Sequence, residues 1–277
     1  MKSNFTFIII LFGLFLNAQT PKISGSIFFP PPKYTADTLE KSVLNVYYDT
    51  SFVKNTKNSN KKTNTIIALN IGKNYTQFLE VKQQKTDSLD ALYSKKNKQI
   101  TAKEFNEFFA VAPQWKYFVL KNRIKNNVLL QGRIKQTFQY EEEIPTIEWK
   151  TTTEKKEILG YQCTKATTKF RGRNYTAWYT TDIPFSEGPY LLGNLPGLIL
   201  ELYDDKNHYS FTAIAVDTQP KDIYLKTNDI IITSREKFRT AEKSYHQNPS
   251  FSTPEAYNKD GSTIRLKERP YNPIELK

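Results

Sequence analysis

The chain has 277 residues and a formal charge of +12, with one cysteine and two histidines. Those counts exclude an internal disulfide and a three-histidine metal centre. Its 17 Tyr and 18 Phe against only 10 Gly give enough apolar mass for a large core and favour strands. Basic clusters such as 54–62 carry few aromatics between the charges, so a stacking groove for nucleic acid is excluded.

The N-terminus carries one cation, Lys2, an apolar run from Phe5 to Leu16 and a polar exit at Asn17-Ala18-Gln19-Thr20. This is the pattern of a cleavable secretory signal spanning 1–18, cut after Ala18. A helix of that run would span roughly 18 Å against a hydrocarbon core of about 30 Å, too short for an anchor. The reading is an exported protein that does not span the membrane after cleavage, with one β-rich domain over 19–277. Its expected place is the periplasm or the outer membrane.

From Lys22 to about Val53, alternating apolar residues broken by Pro30-Pro31-Pro32 predict two strands flanking a stiff crossing. The polar stretch 54–65 predicts a loop or hairpin tip, followed by strand pieces at 66–69 and 75–81. Asp87 is placed to cap a helix carrying Leu89, Leu92 and Tyr93. Thr101 and Glu104 form a capping box for a second helix whose face is Phe105, Phe108, Phe109 and Ala112. Strands are then expected at 117–120, 128–140, 146–150, 161–170, 175–180, 198–203 and 208–216, separated by turn residues. Thr233 and Glu236 predict the cap of a third helix ending near His246. The fold class is α+β, mostly β: a large curved antiparallel sheet with two to three short helices.

No nucleophile elbow, zinc-binding helix motif or Gly-rich phosphate loop is present, so no catalytic residue, metal ligand or cofactor is assigned. Asp204, Asp205 and His208 suit a turn better than a metal site. Cys163 lies in a strand pattern and reads as a small buried hydrophobe. Glu141-Glu142-Glu143 reads as a solvated strand end.

The segment 149–203 is the most distinctive. Its pieces include Ile158-Leu159-Gly160-Tyr161-Gln162-Cys163, Ala177-Trp178-Tyr179-Thr180, Gly188-Pro189-Tyr190 and Asn194-Leu195-Pro196-Gly197-Leu198-Ile199. With the C-terminal Asn272-Pro273-Ile274-Glu275, they resemble the GLPGLI family of Gram-negative envelope proteins. Asn194 stands where that family has Gly, which suggests a left-handed backbone position. Gly188, Pro189, Asn194, Leu195, Pro196 and Gly197 therefore read as a structural signature loop, with Pro196-Gly197 in a type II turn.

The resemblance implies export and no assigned reaction, and 158–165 is similar to strands of half-barrel lipoprotein carriers, a likeness that implies a half-barrel shape for the sheet. The main expectation is non-catalytic binding of a lipid or amphipathic ligand, or of an outer-membrane protein partner, with Phe105, Phe108, Phe109, Trp178 and Tyr190 as ligand-binding residues. One alternative is a hydrolase or lyase using Asp182, Glu187 and Tyr190. The other is a structural accessory of a surface complex.

Overall fold

The computed structural model describes residues 28–96, 99–249 and 266–277, together with Gly25 and Ser262. The expected signal at 1–18 and the strand start at Lys22 lie outside the described residues. The chain opens with β1 (Phe28–Phe29), crosses the three prolines and continues into β2 (Ala36–Lys41) and β3 (Leu44–Val53). Most of β3 is buried on both faces, as a central strand requires. The polar tip, with one 3-10 turn at Thr56–Asn58, leads to its hairpin partner β4 (Lys62–Ile71).

β5 (Tyr75–Glu80) runs directly into α1 (Val81–Lys96). Asp87 does not cap this helix; it lies inside it, buried, and accepts from Gln83 Nε2 at 2.9 Å and Tyr224 OH at 2.8 Å. After β6 (Ile100–Thr101), α2 (Ala102–Ala110) forms both arms of its capping box. Glu104 N donates to Thr101 Oγ1 at 3.3 Å, and Thr101 N donates to Glu104 Oε2 at 2.9 Å.

The meander follows as β7 (Tyr117–Asn122), β8 (Asn127–Arg133), β9 (Thr137–Glu143), β10 (Lys150–Ile158), β11 (Tyr161–Phe170), β12 (Arg173–Thr180), β13 (Leu198–Asp204) and β14 (Tyr209–Asp217). The stretch expected as one strand over 128–140 is a hairpin, β8 and β9. β15 (Asp222–Lys226) and β16 (Ile230–Ile232) precede α3 (Arg235–Gln247). Ser234 caps α3, accepting from Lys237 N at 3.2 Å, while Thr233 donates its N–H to Gln139 O at 2.8 Å. Thr233 is thus held by β9 and is not the cap.

Among the described residues, twelve strands form one sheet in the order β10-β11-β12-β13-β14-β3-β4-β5-β7-β8-β9-β16. All pairings are antiparallel except β16 with β9. One meander runs from β3 to β9, and a second runs from β10 to β14, which returns to pair with β3. The fold is mostly β with three helices, as expected, and the sheet is not closed into a barrel. Its open edges are β10 and β16. β10 is largely exposed and reads Lys-Thr-Thr-Thr-Glu-Lys-Lys-Glu-Ile, the charged composition that discourages edge-to-edge pairing.

Adjacent residues of the central strands feed opposite faces. Phe78, Val119 and Leu130 join the main core with Tyr48 and Phe211, while Leu79, Phe118, Leu120 and Leu129 form a second core under Ile223. The small sheet of β15 and β2 covers that second core. On the main face, Phe238 of α3 sits over Gly132, where an added Cβ would lie 2.2 Å from its ring. Any larger residue at 132 would push α3 off the sheet.

Candidate functional site: an aromatic pocket closed by a C-terminal strap

Residues 269–277 cross the main face as a strap held by buried charge. Arg173 Nε donates to Ile274 O at 3.0 Å, and its Nη2 donates to Pro273 O at 2.5 Å and to Asn272 Oδ1 at 2.7 Å. The same guanidinium meets Asp204 Oδ2 at 2.8 Å, with both side chains almost wholly buried. Further along, Glu275 pairs with Arg171 at 2.5 Å and Arg235 at 2.7 Å and accepts from Tyr190 OH at 2.7 Å. Asn272 Nδ2 donates to Val53 O at 2.7 Å, and Tyr209 OH donates to Asn272 O at 2.5 Å.

The strap closes one side of a cavity of about 340 Å³, within the range of roughly 300–1,000 Å³ typical of small-molecule sites. The walls come from the end of β3 (Phe52, Lys54), the entry to β7 (Gln114, Trp115, Lys116, Tyr117), Tyr209 of β14, His246 of α3 and Arg269 and Asn272 of the strap. Trp115 makes edge contacts with Phe52 at 5.4 Å and Tyr117 at 5.5 Å between ring centroids, and Phe52 stacks on Tyr209 at 6.3 Å. Two residues of this wall each carry a buried polar atom without a partner among the described residues, Trp115 Nε1 and His246 Nδ1. An unsatisfied buried donor or acceptor costs about 1–3 kcal/mol, so these two residues are the least well satisfied part of the wall.

The electrostatics behind the wall are fixed by Glu242. Its Oε1 accepts from Tyr117 OH at 2.7 Å and Lys116 Nζ at 2.7 Å; its Oε2 accepts from Arg239 and from Tyr271 OH, each at 3.1 Å. Burial works to raise its pKa, but Lys116, Tyr117 and Arg239 outweigh burial and hold it below the usual carboxylate range. The same carboxylate, with burial the larger cause, pushes the Tyr117 phenol well above its ordinary value. Burial, then nearby Lys116, lowers the His246 pKa against the opposing hydrogen bond to the Pro270 backbone. Its imidazole is therefore neutral at pH 7, with Nδ1 unpaired.

The residues expected from sequence lie elsewhere. Phe105 stacks on Phe29 of β1 at 4.0 Å, Phe108 packs on Tyr93 of α1, and Phe109 contacts Phe105 and is exposed. They form a satellite cluster between α2, β1 and α1, and none lines the pocket. Trp178 is buried in β12, with Lys156 Nζ 5.6 Å from its ring centroid. Tyr190 lies behind the pocket, 5.8 Å from the Tyr117 ring.

The proposed acid and base do not converge. Glu187 is buried against Lys121 at 2.9 Å, Arg123 at 3.2 Å and Thr76 at 2.9 Å. Burial raises its pKa, but those partners outweigh burial and keep it low. Tyr190 serves Glu275, and Asp182 is exposed. In the signature loop Asn194 adopts φ 66°, the left-handed position expected for it, and Gly197 adopts φ 150°. Gly197 N donates to Leu195 O at 2.7 Å, a tighter turn than type II. Gly188, Pro189 and Leu195 are buried there and pack the loop against the core. No group of three or more metal-ligating side chains occurs among the described residues.

Trp115, His246, Arg269 and Asn272 were not assigned a site from sequence. The chain brings them together over long separations, and the one available signal, the Asn272-Pro273-Ile274-Glu275 ending, carried no hint of where it docks.

No curated protein matches the chain. Two solved structures of PNGF-II are similar at 18% identity, in the P21 space group with a TM-score of 0.50 and in the C2 space group with 0.48. Each match covers 75% of this chain and 34% of the PNGF-II chain. The chain thus spans about a third of the length of the structures it matches, and the P21 likeness supports the fold alone. No helix among the described residues is long and apolar enough to cross a membrane.

A family model for the N-terminal domain of the N-glycanase peptide matches residues 73–235, more than half of the chain. That match overturns the GLPGLI resemblance, whose shared pieces are turn and strand residues and do not define a function. It also overturns the expectation of a non-catalytic carrier for an apolar ligand or an outer-membrane partner, since the matching family is named for a glycan-cleaving enzyme. The chain belongs to the N-glycanase peptide, N-terminal domain family.

Proposed function

We propose that this protein works in N-glycan cleavage outside the cytoplasm, and that the aromatic pocket is where it engages the sugar. The observation that carries this reading is the cluster of Phe52, Trp115, Tyr117 and Tyr209 rings lining one cavity together with the polar side chains of Lys54, Gln114, Arg269 and Asn272. A sugar ring presents apolar C–H faces to aromatic rings and hydroxyls at its edge. The four rings suit the faces, and the polar groups of Lys54, Gln114, Arg269 and Asn272 suit the edge. Residues 19–277 act as a single unit in this reading, exported to the periplasm or the inner side of the outer membrane.

A second reading, hydrolysis by the chain itself, is favoured by His246. Its residue lines the cavity, its lowered pKa leaves it neutral at pH 7, and its Nδ1 has no hydrogen-bond partner among the described residues, the state a general base requires. The carboxylates Asp182 and Glu187 have no part in it.

The test uses the purified protein, a released N-glycan and an N-glycosylated protein. Calorimetry should show glycan binding that Trp115→Phe weakens about tenfold, the loss expected for one hydrogen bond of 1–1.5 kcal/mol. Glycan release from the glycoprotein, measured by mass, that His246→Gln abolishes while binding persists would carry the second reading. Absence of both binding and release overturns the proposal.

A further inference from the structure

The cations of the pocket wall are not balanced by the carboxylates around them. Lys54, Lys116 and Arg269 line the cavity, and no Asp or Glu does. Lys116 is matched by Glu242 at 2.7 Å. Lys54 Nζ instead donates to the neutral Gln114 Oε1 at 3.0 Å and lies 5.5 Å from the Phe52 ring centroid. Arg269 sits over the Tyr245 ring at 4.4 Å and donates to its hydroxyl. Neither has a carboxylate within ion-pair distance among the described residues.

The carboxylates behind the wall are already committed. Glu80 Oε2 accepts from the backbone N–H of Gln114 and of Trp115, each at 2.7 Å, and its Oε1 accepts from Thr65 Oγ1 at 2.5 Å. Glu242 is shared between Lys116 and Arg239. The cavity therefore has a positive excess from two side chains of its wall, Lys54 just after β3 and Arg269 of the strap.

We propose that the pocket selects an acidic sugar, one bearing a carboxylate or a sulfate ester, through Lys54 and Arg269. The inference rests on the carbohydrate reading above and adds the charge of the unit bound. A charge-assisted hydrogen bond is about twice as strong as a neutral one, so an anionic group should dominate the choice of ligand. A neutral sugar would leave both cations without an anion.

The experiment is calorimetry on the full chain with three probes: an N-glycan ending in sialic acid, the same glycan after desialylation, and a sulfated N-glycan. The acidic probes should bind at least about tenfold more tightly than the neutral one, and the ratio of the two acidic affinities identifies the group preferred. Lys54→Gln and Arg269→Gln should each reduce that preference and together abolish it, with thermal melts confirming that both variants fold. Equal binding of the neutral glycan, or a preference that survives the double variant, overturns the acidic reading and leaves the carbohydrate reading standing. Failure of all three probes to bind overturns both.

Discussion

Tyr117 donates its hydroxyl to Glu242 Oε1 at 2.7 Å, joining β7 of the sheet to α3 through two buried side chains. Lys116, the neighbour of Tyr117, completes the pairing from the pocket side. The carboxylate therefore anchors the helix and sets the charge of the cavity at once.

Replacing Glu242 with Ala should cost about 3–5 kcal/mol of stability, because it leaves buried donors without their acceptor. Glu242→Gln should cost less, since it keeps the shape and one acceptor oxygen. Urea unfolding reads both. The pH dependence has a definite sign, because Glu242 and Glu187 both titrate lower in the folded chain than in the unfolded one. Their contribution is present above the ordinary Glu pKa of about 4.3 and is lost as pH falls through the depressed native values. Glu242→Gln should flatten that acid limb in unfolding curves taken at a series of pH values.

Arg173→Met should release the strap while filling much of the same volume. Asp204 would then be buried without its cation, a loss of about 3–5 kcal/mol. Hydrogen exchange should rise across 272–275 before it rises in β7 or β8. Uniform protection in the variant would show that the strap is held by its other contacts.

Gly197→Ala should destabilise by about 3 kcal/mol, as an added Cβ would lie 2.0 Å from Thr180 O. Asn194→Gly should be tolerated within a few tenths of a kcal/mol, because φ 66° suits either residue, whereas Asn194→Val should cost about 1–2 kcal/mol. Thermal melts of the three variants would rank them.

Cys163 should resist modification in the folded state. Its side chain is wholly buried, and burial, then Glu201, push the thiol pKa up to about 11. A thiol-reactive dye at pH 8 should label less than a tenth of an equivalent before denaturation and one equivalent after.

Much of the sheet was legible because its inner strands alternate or run apolar against one core, and turn residues mark their ends. The Thr101 and Glu104 capping box located α2 because both halves of the box are local in sequence. α1 began six residues before the expected cap, since its first turn carries no acidic residue and its burial depends on β4 and β5. The strand expected at 146–150 lies instead at Lys150–Ile158 as β10, misplaced because an edge strand exposed on both faces has no apolar period. The pocket was illegible for a different reason: Trp115, His246 and Arg269 acquire meaning only when the strap returns to β3. The aromatic stripe of α2 had the right composition for a ligand site but packs against Phe29 and Tyr93.

The hydrogen bond from Asn272 to Val53 spans 219 positions of the chain. A nascent or partly folded molecule can form either meander and still have no cavity, because one wall arrives last. Ligand occupancy is thus tied to complete folding, and a ligand present at a hundred times its Kd would add about 2.7 kcal/mol to global stability. The pocket can serve as a folding gauge: only chains that have docked the strap can respond to a ligand with a shift in Tm.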